Sequence, residues 1–196
     1  MRNTSWWVIV GLLFSVSCGG KKSQQPFWNS TTGMYIIPSL GISYIVPSDV
    51  ENWAIADIDG SVPEIKFCGV DYSTDICIVI VEPDSRLKNV TELDSAKVRN
   101  ILREIICQTP TGHILRFEPN LERSRYADSE SWHFRADISI ANHSDTVEIS
   151  YLGYIFDCPN RKVAGIVSIV PDGVLDSVGV QIMDKYFDGM GFIMNN

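Results

Sequence analysis

Between Thr74 and Val81, Ile76, Ile78 and Ile80 alternate with Cys77, Val79 and Val81, so a strand here is apolar on both faces. Such a strand belongs mid-sheet with cover on each side. Val163 to Val170 has the same character. Shorter apolar runs, Gly41 to Ile45, Trp53 to Ile58 and Glu64 to Cys68, read as further strands, the first two separated by Pro47 and Ser48. His113 opens another strand. The segment Ser131 to Phe156 reads as a hairpin, because Trp132, Phe134, Ala136, Ile138 and Ile140 alternate with Ser131, His133, Arg135, Asp137 and Ser139. With Asn142 to Asp145 as its loop, Ala141 pairs with Thr146, Ser139 with Glu148 and Asp137 with Ser150. That register places Val147, Ile149 and Tyr151 on the apolar face, and a slip of one residue would turn them to the polar one.

Helical spacing occurs twice. Thr91 is the predicted N-cap of the first helix, with Glu92 and Asp94 in its first turn and Val98, Ile101, Leu102 and Ile105 along one face. The second helix carries Leu175, Val178, Ile182, Met183 and Tyr186 behind a Pro171-Asp172-Gly173 turn, and Gly179 weakens it by about 1 kcal/mol relative to Ala. Two doubly apolar strands beside a hairpin that needs cover on one side predict an α+β fold, a mainly antiparallel sheet with flanking helices. This order of elements, from Gly33 to Ile193, resembles the PsbP/Mog1-like group of α/β/α sandwich domains. The resemblance implies a binding or accessory protein and carries over no functional residue.

At the start of the chain the pattern changes. Arg2 precedes an apolar run from Trp6 to Phe14, which ends in the small residues of Ser15-Val16-Ser17 before Cys18. This is the layout of a secretory signal. Trp6 to Val16 is about half of the ~20 apolar residues that span a bilayer, which argues against a transmembrane helix. The run resembles the lipobox of bacterial lipoproteins, in which the cysteine is lipidated and becomes the first mature residue. Ser15 stands where that family usually has Leu, and a cleaved signal without lipid is the alternative. The resemblance implies lipidation at Cys18, attachment to the membrane and a place in the cell envelope, at the outer membrane.

Residues 1–17 are therefore read as signal peptide, 18–32 as lipidated cysteine and flexible tether, and 33–196 as one globular domain. The polar stretch Gly19 to Pro26 reaches no more than about 30 Å when extended. Lys21 and Lys22 would each contribute about 1 kcal/mol at anionic head groups.

Taking the 17 signal residues from 196 leaves 179, enough for one domain with its own core. The net charge is −8, and −9 once Arg2 is removed. With no basic patch interleaved with aromatics, nucleic acid is excluded as an expected partner. The sequence has no glycine-rich phosphate loop and no G-x-S-x-G elbow, so no cofactor is expected.

Beyond Cys18 lie Cys68, Cys77, Cys107 and Cys158, which allow three disulfide connectivities. Cys68 and Cys77 flank the turn-like Val70 to Thr74 and are the candidate disulfide; buried free thiols are the other reading. His113, His133 and His143 are spaced unlike metal ligands, and no metal site is expected. Asp57-Ile58-Asp59-Gly60 opens like a calcium loop but lacks its later ligands, so it reads as a turn. Asp94-Ser95-Ala96, Asp145-Thr146-Val147 and Asp176-Ser177-Val178 are similar to a bacterial O-glycosylation sequon. Together these features predict a membrane-anchored, non-enzymatic binding or accessory module with an envelope protein partner. The polar face of the hairpin, His133, Arg135, Asp137 and Glu148, is its candidate contact surface. The alternative is an envelope hydrolase using Cys158 or the His133, Asp137 and Glu148 face, and a third reading is a small ligand between sheet and helix.

Overall fold

The computed structural model describes residues 26–56, 65–106, 112–126, 128–142, 145–171 and 177–193. Cys18 and the tether before Pro26, the Asp57 to Gly60 turn, Cys107, His143 and the Asp172-Gly173 turn lie outside them. Eleven strands are seen: β1 Phe27–Asn29, β2 Met34–Ile37, β3 Ile42–Tyr44, β4 Trp53–Ile55, β5 Ile65–Asp71, β6 Ile76–Val81, β7 Gly112–Arg123, β8 Glu130–Asn142, β9 Asp145–Cys158, β10 Lys162–Pro171 and β11 Met190–Phe192. Among the described residues two helices accompany them, α1 Ser95–Ile106 and α2 Ser177–Phe187.

All strand pairs are antiparallel, in a seven-stranded sheet β4-β5-β6-β10-β9-β8-β7 and a four-stranded sheet β1-β2-β3-β11. The doubly apolar strands β6 and β10 pair with each other in the middle of the large sheet. Alternation then sends Cys77, Val79 and Val81 to one core and Ile76, Ile78 and Ile80 to the other. The first core is capped by Val98 and Leu102 of α1 together with Val90 and Leu93. The second lies beneath Ile37, Ile42, Tyr44 and Met190 of the small sheet and Met183, Tyr186 and Phe187 of α2.

This overturns the expected α/β/α sandwich with flanking helices. Of the described residues 54% are strand and 15% helix, so the molecule is a mostly antiparallel, two-sheet β structure. The expected order of elements, short strands, a helix, long strands and a last helix, is seen, but its two-sheet arrangement lends no support to the PsbP/Mog1-like resemblance. The physical reason is that the second face of the large sheet is covered chiefly by strands of three or four residues. In pieces that short, hydrophobic periodicity scarcely registers. One of them, Phe27–Asn29, lies within the stretch read as tether, so ordered structure begins before residue 33.

Two further details differ from expectation. Asn89, not Thr91, forms a capping box with Glu92, and it heads a short 3-10 turn, Val90–Glu92. Helix α1 begins afterwards, with Asp94 Oδ1 accepting from the Lys97 amide at 2.8 Å. The long hairpin β8–β9, by contrast, has the predicted register: Ala141 faces Thr146, Ser139 faces Glu148 and Asp137 faces Ser150.

Helix α2 is tied to the sheet by a polar knot in the second core. Asp71 is 2% exposed, and it accepts from the Tyr186 hydroxyl at 2.6 Å, the Ser73 amide at 2.8 Å and the Thr74 hydroxyl at 3.1 Å. Tyr44 donates to the Tyr186 carbonyl. The rings of Tyr44, Phe67 and Tyr186 all stack on Trp53, which lies across Gly69 of β5. A Cβ at Gly69 would overlap the indole directly.

Gly69→Ala is therefore expected to displace Trp53 and lower stability by about 1–3 kcal/mol in urea unfolding. Gly191→Ala, whose added methyl would sit 3.4 Å from Ser43 Oγ, serves as the mild control. Burial works to raise the Asp71 carboxyl, but the bonds from Tyr186, Ser73 and Thr74 outweigh it and hold the group below its ordinary value of 3.8. Its contribution is thus complete above that value and lost as pH falls through the lower folded one. Acid titration of stability should show this loss in the wild type and a flatter limb in Asp71→Asn.

Candidate functional site

Beside α1 the surface opens into a cleft of about 650 Å³, within the size range of small-molecule sites. Lys66 of β5, the residue Glu82 that follows β6, the turn Pro83 to Leu87, and Leu93, Lys97, Asn100 and Ile101 line it. Leu87, Leu93 and Ile101 supply apolar wall. Lys66, Arg86 and Lys97 set three cations against Glu82 and Asp84, a local positive excess on a chain of net charge −8.

Its electrostatic anchor is Glu82. At 6% exposure this carboxylate would be costly to keep charged alone, and it is held by Lys162 Nζ at 2.8 Å and Lys66 Nζ at 3.4 Å. At the mouth, Arg86 forks onto Asp84, with Nη2 to Oδ2 at 2.8 Å and Nε to Oδ1 at 3.0 Å. That guanidinium holds the Asp84 carboxyl below the ordinary range. Lys97 donates to the Glu92 carbonyl at 2.7 Å, so its ammonium stands over the cleft from the first turn of α1. This arrangement suits an anionic group, carboxylate or phosphate, carried on an apolar body.

The hairpin face predicted as open is partly covered: His133 and Arg135 lie opposite Tyr154 and Leu152, which are buried in the second core. His133, Arg135 and Asp137 follow one another on one side of β8, and Glu148 lies opposite Ser139 on β9. His133 stacks on Tyr154 with ring centroids 4.6 Å apart. Burial, opposed by the nearby Glu122 carboxylate, pulls the imidazole below its usual value. Asp137 accepts from the Ser150 hydroxyl at 2.7 Å. Asp137 lies four positions along β8 from His133, roughly 13 Å at strand rise, so the two do not converge.

Cys158 is similarly remote. It lies four residues beyond Tyr154, the cross-strand partner of His133, and is 5% exposed. Burial, reinforced by the carboxylates of Asp157 and Glu82, pushes its thiol up to about 12. A thiol held protonated is a poor nucleophile. The geometry a hydrolase would need from Cys158, or from His133, Asp137 and Glu148, is thus not assembled. Among the described residues no three His, Cys, Asp or Glu side chains gather as a metal site. Cys68 and Cys77 do come together: both are buried free thiols, with Sγ atoms 3.4 Å apart across the β5–β6 hairpin.

Sequence reasoning missed the cleft. The available signal was Glu82, an acid placed directly after a strand apolar on both faces, with Lys66 and Lys162 at the ends of the neighbouring strands. It missed Arg125 as well, which clamps Asp184 and Asp188 of the α2 region at 2.7 and 2.5 Å.

No family model and no curated protein matches this sequence. Among solved structures the chain is similar to LpqN, described as involved in cell envelope biogenesis of Mycobacterium tuberculosis. The identity is 15% and the TM-score 0.36, over 76% of this chain and 82% of that one. A likeness of that degree assigns no function.

Removing the closest cation from Glu82 tests the anchor of the cleft. Lys162→Ala should cost about 1–3 kcal/mol in urea unfolding, while Lys162→Arg retains most of it. An Ala variant as stable as the wild type would show that Glu82 does not depend on this pair.

Proposed function

We propose that this protein is a lipid-anchored lipoprotein of the cell envelope, seated at the outer membrane, that acts as a non-enzymatic binding module. The observation that carries the reading is the run Trp6 to Ser17 closing on Cys18, an address followed by a tether of eight residues. The cleft beside α1 supports the binding part. It offers cations over an apolar wall, a combination that holds a ligand or partner through an anionic group. The scattered positions of Cys158, His133, Asp137 and Glu148 favour this reading over the hydrolase alternative.

The lipid also shapes what such a module can reach. Each buried methylene of an acyl chain adds about 0.8 kcal/mol, so two or more chains hold the protein stably at its membrane. With a tether of about 30 Å at most, a partner is either in the same membrane or next to it.

The test is isolation of the natively expressed protein from detergent-solubilised membranes, followed by mass spectrometry of the chain and of what accompanies it. The expected result is acylated Cys18 at the new N-terminus, with Cys18→Ser moving to the soluble fraction. A specific companion should be retained by the wild type and lost from Lys97→Glu, which reverses a cation at the surface of the cleft. An unmodified N-terminus would defeat the anchor, and identical companions in both forms would defeat the cleft.

A further inference from the structure

Residues 23–48 contain no charged side chain, in a chain that is one-fifth charged. Three of the four strands of the small sheet come from this stretch, and the fourth, Met190-Gly191-Phe192, is uncharged too. Register fixes which side chains turn outward. Tyr35, Ile37, Ile42, Tyr44 and Met190 pack into the second core. The alternating ladder Phe27, Ile36, Ser43 and Gly191 therefore forms the outer face, with Met34 on the same side of β2.

Phe27 ends that face at the edge strand, and Trp28, which pairs with Tyr35, turns to the other side of the same edge. Phe27 and Trp28 are each 51% exposed, and Ile45 just beyond β3 is 44% exposed. Trp28 leans on Tyr35 with ring centroids 4.7 Å apart, which leaves the indole at the rim of the sheet. Aromatic rings placed so, half packed and half open, favour the boundary between water and hydrocarbon.

We infer that the uncharged outer face of the small sheet, led by Phe27 and edged by the half-open Trp28 of the same strand, rests on the surface of the bilayer that holds the lipid of Cys18. The inference builds on the anchored reading above. Strand β1 starts at Phe27, nine residues from Cys18, so it is the described element nearest the lipid. At most about 30 Å of extended chain separates them. Charge selects the same side. The body of the protein is acidic and is repelled by anionic head groups, whereas this face carries no charge to repel, and Lys21 and Lys22 precede its first strand in the sequence. Apolar side chains then settle into the head-group boundary. The domain is thereby oriented, not merely tethered.

The test uses the full lipidated chain in phosphatidylethanolamine and phosphatidylglycerol vesicles, with and without bromine on the lipid acyl chains. After removal of the signal the tryptophans are Trp28, Trp53 and Trp132. Brominated lipid should dim the tryptophan emission of the wild type and of Trp132→Phe, and the dimming should be lost in Trp28→Phe. Phe27→Ser, which keeps the indole and alters one exposed side chain, should weaken it. A lipidated chain whose emission is unaffected by bromine overturns the docking face and leaves the anchor standing. An indole shielded from aqueous iodide yet untouched by brominated lipid also overturns it, and assigns the face to a protein cover. A chain whose mass shows no lipid overturns the anchored reading and this inference together.

Discussion

A pair of adjacent strands that are apolar on both faces cannot lie at a surface, and the architecture follows from that requirement. In β6 and β10, Ile78, Ile80, Val81, Val163, Ala164 and Ile166 are all at most 1% exposed. Each large aliphatic side chain buried in this way contributes roughly 1.5–3 kcal/mol. Leaving either face open would forfeit half of that contribution. One face is covered by α1 and the 3-10 turn before it. The other needs a wider lid, and the chain builds it from its two ends, with β11 joining β3 so that the last strand completes a sheet begun by the first.

The lid is held by directional interactions as well as by burial. Asp71 could not remain an ion in that core without the three donors around it, and one of these, Tyr186, belongs to the lid. Arg125 performs a corresponding task at the same C-terminal end of α2 by gripping Asp184 and Asp188, with Tyr154 beneath its guanidinium at 5.4 Å. Between them the aromatic slab of Tyr44, Trp53, Phe67 and Tyr186 has room only because Gly69 lacks a side chain. Position and chemistry are thus coupled: the same helix closes the core and carries the partners of two buried or half-buried polar groups.

Charge is distributed unevenly over the result. Cations concentrate at the cleft around the buried Glu82, the polar strip of β8 and β9 carries both signs, and the small sheet carries none. In the proposed anchored arrangement, this separates a face that tolerates lipid from a cleft that attracts anions. The proposed function depends on this separation more than on any single residue.

Much of the large sheet was legible in the amino acids. The two-sided alternation of Ile76 to Val81 and of Val163 to Val170 dictated central strands, and the one-sided alternation of Ser131 to Phe156 dictated the hairpin and its register. These signals are local: each strand records in its own residues how many of its faces are buried. The shared side of His133, Arg135 and Asp137 on β8 was likewise written there, and so was the closeness of Cys68 and Cys77. The nature of the cover was not. Whether a helix or a second sheet lies over an apolar face is decided by which distant segments can meet it, and Tyr35, Ile37 and Met190 reveal their common role only when β2, β3 and β11 pair. The cleft is of the same kind. Lys66, Glu82 and Lys162 are scattered over nearly a hundred positions, and only strand pairing across the large sheet brings their charges to one place.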